Sequence, residues 1–158
     1  MKQKKTLLAV IALNLLLILG TVLWFRHSTQ LSLTCQGSLT YKESLQDNHF
    51  TFEGMVVMHF TPDGTGYFNM NGEVVNGGQH WEVSRQESFH WKYVHETFYQ
   101  MSITQVEKFG HDNVPAEVFD KYVKGVSSGQ KRLLNIRRLP DRAVIIGNFY
   151  SPILVCTG

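Results

Sequence analysis

Residues 6–25, TLLAVIALNLLLILGTVLWF, form an uncharged apolar run that constrains this chain more than any other feature. Wound as a helix at about 1.5 Å per residue, twenty residues span roughly 30 Å, the thickness of a bilayer core. Lys2, Lys4 and Lys5 precede the run, and Arg26 and His27 follow it. That lysine excess predicts an N-terminus on the cytoplasmic side. Trp24 and Phe25 fall where an interfacial aromatic anchor belongs. A cleaved signal peptide needs a shorter apolar core and a small-x-small cleavage site. The run ends instead in Leu23-Trp24-Phe25-Arg26-His27. Cys35 follows Ser32-Leu33-Thr34, which is not a lipoprotein signal. Asn14 is either a single tolerated polar residue or a helix–helix contact within the membrane. The sequence thus predicts a leader over 1–5, a transmembrane helix over 6–25 that contacts the lipid bilayer, a linker over 26–30, and one domain over 31–158 on the far, oxidising side.

Beyond residue 30 the dominant period is two, the signature of strands. Leu31, Leu33, Cys35, Gly37, Leu39 and Tyr41 alternate with polar residues. Phe50, Phe52, Val56, Met58 and Phe60 form a second such set. A turn follows at Thr61-Pro62-Asp63-Gly64-Thr65-Gly66, where Pro62 presets φ and the glycines permit positive φ. Residues 67–75 resume the pattern, and Asn76-Gly77-Gly78 is a hairpin signal. Residues 80–95 alternate most clearly. Trp81, Val83, Phe89, Trp91 and Tyr93 share one face, and His80, Glu82, Ser84, Gln86, Ser88, His90 and Lys92 share the other, as in a sheet with one dry side. Further strands are expected near 99–103, 130–139, 143–150 and 153–156. One short helix is expected between them, capped by Asp112-Asn113, with Pro115 in its first turn and Gly125 at its end. Its apolar stripe is Val118, Phe119, Tyr122 and Val123. Ala143-Val144-Ile145-Ile146 is apolar on both faces, which suggests cover on both sides, by that helix among other elements. About eight strands joined by short turns predict a mainly β domain, an antiparallel barrel or half-barrel of lipocalin-like design.

Cys35 opens the domain and Cys156 closes it. In an oxidising compartment a bridge between them would tie the last strand to the first, and the chain-entropy argument values so long a loop at about 4–5 kcal/mol. Two buried thiols or an intermolecular bridge are the alternatives. With no second cysteine pair, no zinc-binding spacing exists.

A search for chemistry returns little. The net charge of +2 carries no clustered basic face of the kind nucleic acid requires. The seven histidines match no metal motif; of those that lie close in sequence, His80 and His90 fall on the polar face and His95 at a strand end. There is no nucleophile elbow, phosphate-binding loop, dinucleotide fingerprint or carboxylate pair set for general acid–base work. Neither an enzyme nor a cofactor is expected. One anomaly stands out. Arg85 and Glu87 occupy the face otherwise held by Trp81, Val83, Phe89 and Trp91. Either a bulge or bend turns them outward, or they are polar anchors in an aromatic-lined cavity. The second possibility makes Trp81, Arg85, Phe89 and Trp91 a candidate ligand or partner pocket.

The Lys-rich start and single anchor, Cys35-Gln36-Gly37, Phe60-Thr61-Pro62-Asp63-Gly64-Thr65-Gly66, Asp112-Asn113-Val114-Pro115, and Gly147-Asn148-Phe149-Tyr150-Ser151-Pro152 with Cys156 resemble the FidL-like family of enterobacterial inner-membrane proteins. The resemblance runs over nearly the whole chain, and its motifs are turns and cysteines. It implies an inner-membrane protein with a periplasmic domain and no catalytic residues. It also implies a place beside membrane-spanning winged-helix regulators of the ToxR and CadC type, as an accessory that steadies the regulator's periplasmic domain in the manner of ToxS. A barrel of this kind has an alternative use, as a lipocalin-like binder of a small apolar ligand such as a bile salt. A cavity of several hundred cubic ångströms lined by Trp81, Trp91 and Phe89 would favour the ligand; a filled barrel with an exposed strand edge would favour the partner.

Overall fold

The structure, a computed structural model, describes residues 2–28, 30–45, 48–123, 126–140 and 142–157. The side chains of residues 2, 3, 5–7, 9, 25–28, 45, 48 and 157 lie outside that description. The chain divides into two compact units, Met1–Gln30 and Leu31–Gly158.

The first unit is helix α1, Lys2–Ser28. Its described side chains from 10 to 24 are all exposed and almost all apolar. The polar ones are satisfied by the helix itself: Asn14 Nδ2 donates to the Val10 carbonyl at 2.9 Å and Thr21 Oγ1 to that of Ile18 at 2.8 Å. Among the described residues no helix is long and apolar enough to cross a membrane, so the fold alone does not make 6–25 a span. The flanking features expected at Lys2, Lys5, Phe25, Arg26 and His27 concern side chains outside the described residues.

The second unit contains strands β1 (Leu33–Leu45), β2 (Asn48–Phe60), β3 (Thr65–Asn76), β4 (Gln79–His95), β5 (Phe98–Lys108), helix α2 (Ala116–Tyr122), then β6 (Lys131–Arg138), β7 (Ala143–Gly147) and β8 (Pro152–Thr157). Each strand pairs antiparallel with the next, and β8 returns to β1, closing a barrel. Among the described residues that closing seam is narrow, with the single register pair Gln36↔Thr157. The seam is also clamped covalently: Cys35 and Cys156, both buried, form a disulfide with their Cα atoms 5.5 Å apart.

Local chemistry explains the turns. Asn76 pairs with Gln79 across Gly77 and Gly78, both at positive φ, so the hairpin is a two-residue turn that only glycine enters without strain. At 61–66, Asp63 Oδ1 accepts from the Thr65 amide at 2.9 Å and from Thr61 Oγ1 at 2.5 Å, holding the loop that begins β3. These bonds keep the Asp63 carboxyl low, at about 2. Gly54 and Gly72 face each other across β2 and β3; a Cβ on either would strike the opposite backbone, and that on Gly54 would also meet the Phe52 ring. The missing side chain at Gly54 leaves the room that the Phe52 ring occupies.

The β7 strand ends earlier than the alternation suggests. The Asn148 amide donates to the Ser151 carbonyl at 3.0 Å, and Asn148 Oδ1 accepts from the amides of Tyr150 and Ser151 at 2.8 Å, so 148–151 is a turn. Helix α2 also departs from expectation. It begins at Ala116, and Pro115 at its N-cap makes no side-chain capping bond. Asp112 and Asn113 serve β4 instead: Asn113 Oδ1 accepts from the Glu82 amide at 2.8 Å and Asp112 Oδ2 from the Ser84 amide at 3.1 Å. These side chains thus satisfy strand N–H groups that the ladder leaves free, and are not available to the end of α2. The expected stop at Gly125 lies outside the described residues. The described contacts of α2 run to β1, β2 and β4 rather than to β7. Tyr122 stacks on Phe50 with ring centroids 4.6 Å apart, the Tyr41 hydroxyl donates to the Tyr122 carbonyl at 3.2 Å, and Arg85 lies over Phe119.

Candidate functional site

The inward face of the barrel is not filled throughout. One part is dense. Phe60 and Phe89 meet with centroids 5.1 Å apart, and Trp91 stands edge-on to Phe60 at 6.4 Å. Trp91 Nε1 donates to the carbonyls of Thr61 and Thr65 at 3.1 and 2.9 Å, so the ring both fills the core and holds the β2–β3 turn.

Elsewhere the barrel encloses a cavity of about 480 Å³. Its walls are apolar: Leu39 from β1, Val56 and Met58 from β2, Phe68 and Met70 from β3, Met101 from β5, Leu134 from β6 and Leu154 from β8. Tyr122, Val123 and Val126, from α2 and the chain after it, also line it. Three of these residues are methionines, whose unbranched, polarisable chains adapt to an occupant's shape. Residues from both sides of the β1–β8 seam line the space, including the outward-facing Thr40. The cavity therefore reaches the surface where the barrel's pairing is thinnest.

The polar residues lining this space are Thr40, Tyr41, Glu43, Tyr122, Arg132, Asn148 and Ser151. The Tyr41 hydroxyl donates to Glu43, and burial together with that carboxylate pushes it up to about 12. Tyr122 is buried, and its hydroxyl has no hydrogen-bond partner among the described residues. Arg132, half-buried on β6, has neither a hydrogen bond nor an ion pair among the described residues. Burial lowers its pKa, while Glu87 and Tyr41 act in the opposite direction; with so high an ordinary value it remains a cation.

Arg85 and Glu87 both face inward, 4% and 1% exposed, so no bulge or bend turns them out. Of the two register shifts between β4 and β5, one falls after Ser88 with its extra residue on β5, and the other lies beyond Tyr93. Arg85 is fully engaged. Its Nε and Nη2 donate to Asp112 Oδ2 and Oδ1 at 2.7 and 2.8 Å, and its guanidinium carbon sits 3.9 Å from the Phe119 ring centre. Lys108 Nζ approaches the same carboxylate at 3.5 Å and donates to the Val114 carbonyl at 2.8 Å. This bidentate pair fastens the segment leading into α2 against β4. Glu87 is different. Neither carboxylate oxygen has a partner among the described residues. Burial pushes its pKa up to about 8; Arg85 and Arg132 pull it back, and Asp120 and Asp112 add to the rise. It is therefore mostly protonated at neutral pH, which spares the barrel an isolated buried anion.

None of the four residues read from the sequence as a pocket lines the cavity. Trp81 is half-buried against the core, Phe89 and Trp91 belong to the dense aromatic cluster, and Arg85 is paired with Asp112. Arg132, Tyr41 and Tyr122 were not singled out for a site; their strand or helix positions were foreseeable, but the hollow they face was not. Among the described residues no group of three metal-ligating side chains comes together.

Residues 72–156 match the family described as FidL-like putative membrane protein. The match takes in Arg85, Asp112, Arg132 and Cys156, while Cys35-Gln36-Gly37 and the 60–66 turn lie outside it. No curated protein matches the sequence. Because the matched stretch covers more than half of the 158 residues, the chain belongs to the FidL-like putative membrane protein family.

Proposed function

We propose that this protein is a membrane-anchored binding protein whose barrel takes up a small apolar ligand. The cavity supports this most directly: about 480 Å³ of apolar-lined space falls within the roughly 300–1,000 Å³ of ligand sites. In this reading α1 is the anchor, with 6–25 in the bilayer, the lysine-rich leader in the cytoplasm and the barrel in the periplasm. The uncharged twenty-residue run, the family's membrane description and the disulfide all favour that arrangement. The test uses the full chain in lipid nanodiscs with a neutral alkyl diazirine. Photolabelling should reach peptides bearing Met58, Met70 and Met101, and Val56→Trp, which fills the space, should suppress it. Label confined to 6–25 would refute the reading.

A second reading, as accessory partner of a membrane-bound winged-helix regulator, is favoured by the seam. Among the described residues β1 runs well past Gln36 without a further pair to β8, and an open strand edge can take a strand from another chain. Deleting this protein should shorten the half-life of such a regulator and change its target-gene output. Unchanged half-life and output across acid and bile-salt conditions would reject it. Both readings hold together if ligand occupancy alters the seam.

A further inference from the structure

We infer that the ligand is an amphiphile with an anionic head, and that Arg132 is the group that receives it. The inference rests on the ligand-binding reading above and specifies its chemistry. Two arginines face inward in this barrel. Asp112 meets Arg85 with both of its oxygens, and that charge is spent. Arg132 lines the hollow and makes no hydrogen bond or ion pair among the described residues; Glu87 and Tyr41 act on it only electrostatically. An unpaired cation in an apolar recess is costly, and a ligand that brings the counter-charge removes the cost.

The neighbouring acids do not supply it. Glu43 stands at the cavity wall and accepts from the Tyr41 hydroxyl, but forms no ion pair with Arg132. Glu87, with both oxygens unpartnered, makes no bond to it either. A guanidinium fork matches the two oxygens of a carboxylate or sulfonate. Met101, opposite Arg132 in register on β5, and Leu134, two residues along β6, begin the apolar wall on which the ligand's body would lie. A purely apolar molecule would leave the guanidinium without a counter-charge, and a cationic one would repel it.

The experiment uses the full chain in lipid nanodiscs and a diazirine-bearing twelve-carbon carboxylic acid, with labelling mapped to cavity peptides. Dodecanoate, cholate, dodecanol and dodecyltrimethylammonium compete with it. At least one of the two anions should compete tenfold or more better than dodecanol, and dodecyltrimethylammonium worst. Preference for dodecanoate would point to a bilayer-derived acid, preference for cholate to a free polycyclic one. Arg132→Gln should erase the anion preference, and an unfolding midpoint close to that of wild type shows that the variant is folded. Arg132→Lys, which keeps the charge but loses the fork, should retain part of the preference. Equal potency of anions and alcohol in the wild type, or a preference that survives Arg132→Gln, would overturn the inference and leave the binding reading standing. Failure of the neutral probe to label cavity peptides would overturn both.

Discussion

The two inward arginines show what the barrel does with charge at two different places. Around Arg85 everything is fixed: a bidentate carboxylate, an aromatic ring beneath, and Lys108 alongside. Arg132 lines the hollow without a hydrogen bond or ion pair among the described residues, with Glu87 and Tyr41 acting on it only electrostatically. Both sit on strands with the same alternation, so secondary structure does not separate them. What separates them is whether the fold brings its own anion. A charge paired within the chain is a fastening. One left unpaired beside a hollow is an invitation to something outside the chain.

Removing Asp112 should break this contrast most severely. Asp112→Ala strands Arg85 without a partner and releases the segment before α2; breaking a buried pair in this way costs about 3–5 kcal/mol. Denaturant unfolding should show a much lower midpoint, and replacing Arg85 by Met in the same chain should recover part of the loss. Glu87 offers the next effect. Its proton is held in the folded barrel up to about pH 8, whereas an unfolded glutamate releases it near pH 4.3. The unfolded state therefore binds fewer protons between those values, and stability falls as pH rises through them. Between pH 6 and 8 the loss is on the order of 2 kcal/mol. Glu87→Gln should flatten that slope relative to wild type, and an unchanged slope would show that Glu87 is ionised. The smallest effect belongs to Arg132. Arg132→Gln removes a charge that no partner misses, so stability should stay within about 1 kcal/mol of wild type. A loss as large as that of Asp112→Ala would make the two arginines alike.

Most strands were legible because they carry their burial as alternation: Phe50, Phe52, Val56, Met58 and Phe60 announce β2 without reference to anything else, whereas β7, buried on both faces, shows no such pattern and ends at Gly147, earlier than the sequence suggests. The Gly77-Gly78 turn and the cysteine pair were legible for the same reason, since each is a local or single-pair signal. The site was not. A cavity is a shortfall of volume summed over strands far apart in sequence, and no window containing Arg132 shows that Leu39, Met70 and Leu154 leave room in front of it. The role of Asp112 was hidden differently. An Asp-Asn pair before Pro115 suits a helix cap, and only the folded barrel reveals that the Ser84 amide and a buried arginine 27 residues earlier share the Asp112 oxygens, while the Glu82 amide takes Asn113.

The closing seam also imposes an order in time. β1 finds β2 within a short hairpin, but its other neighbour, β8, and the Cys35 partner lie 121 residues downstream. At a synthesis rate of about 5–20 residues per second, Cys35 waits roughly 6–24 s before Cys156 exists. During that wait the first strand has one free edge and a reactive thiol. The chain must therefore avoid other partners for longer than most of its hairpins need to form, and a stall in synthesis before β8 would leave the ring open however well the earlier strands had paired.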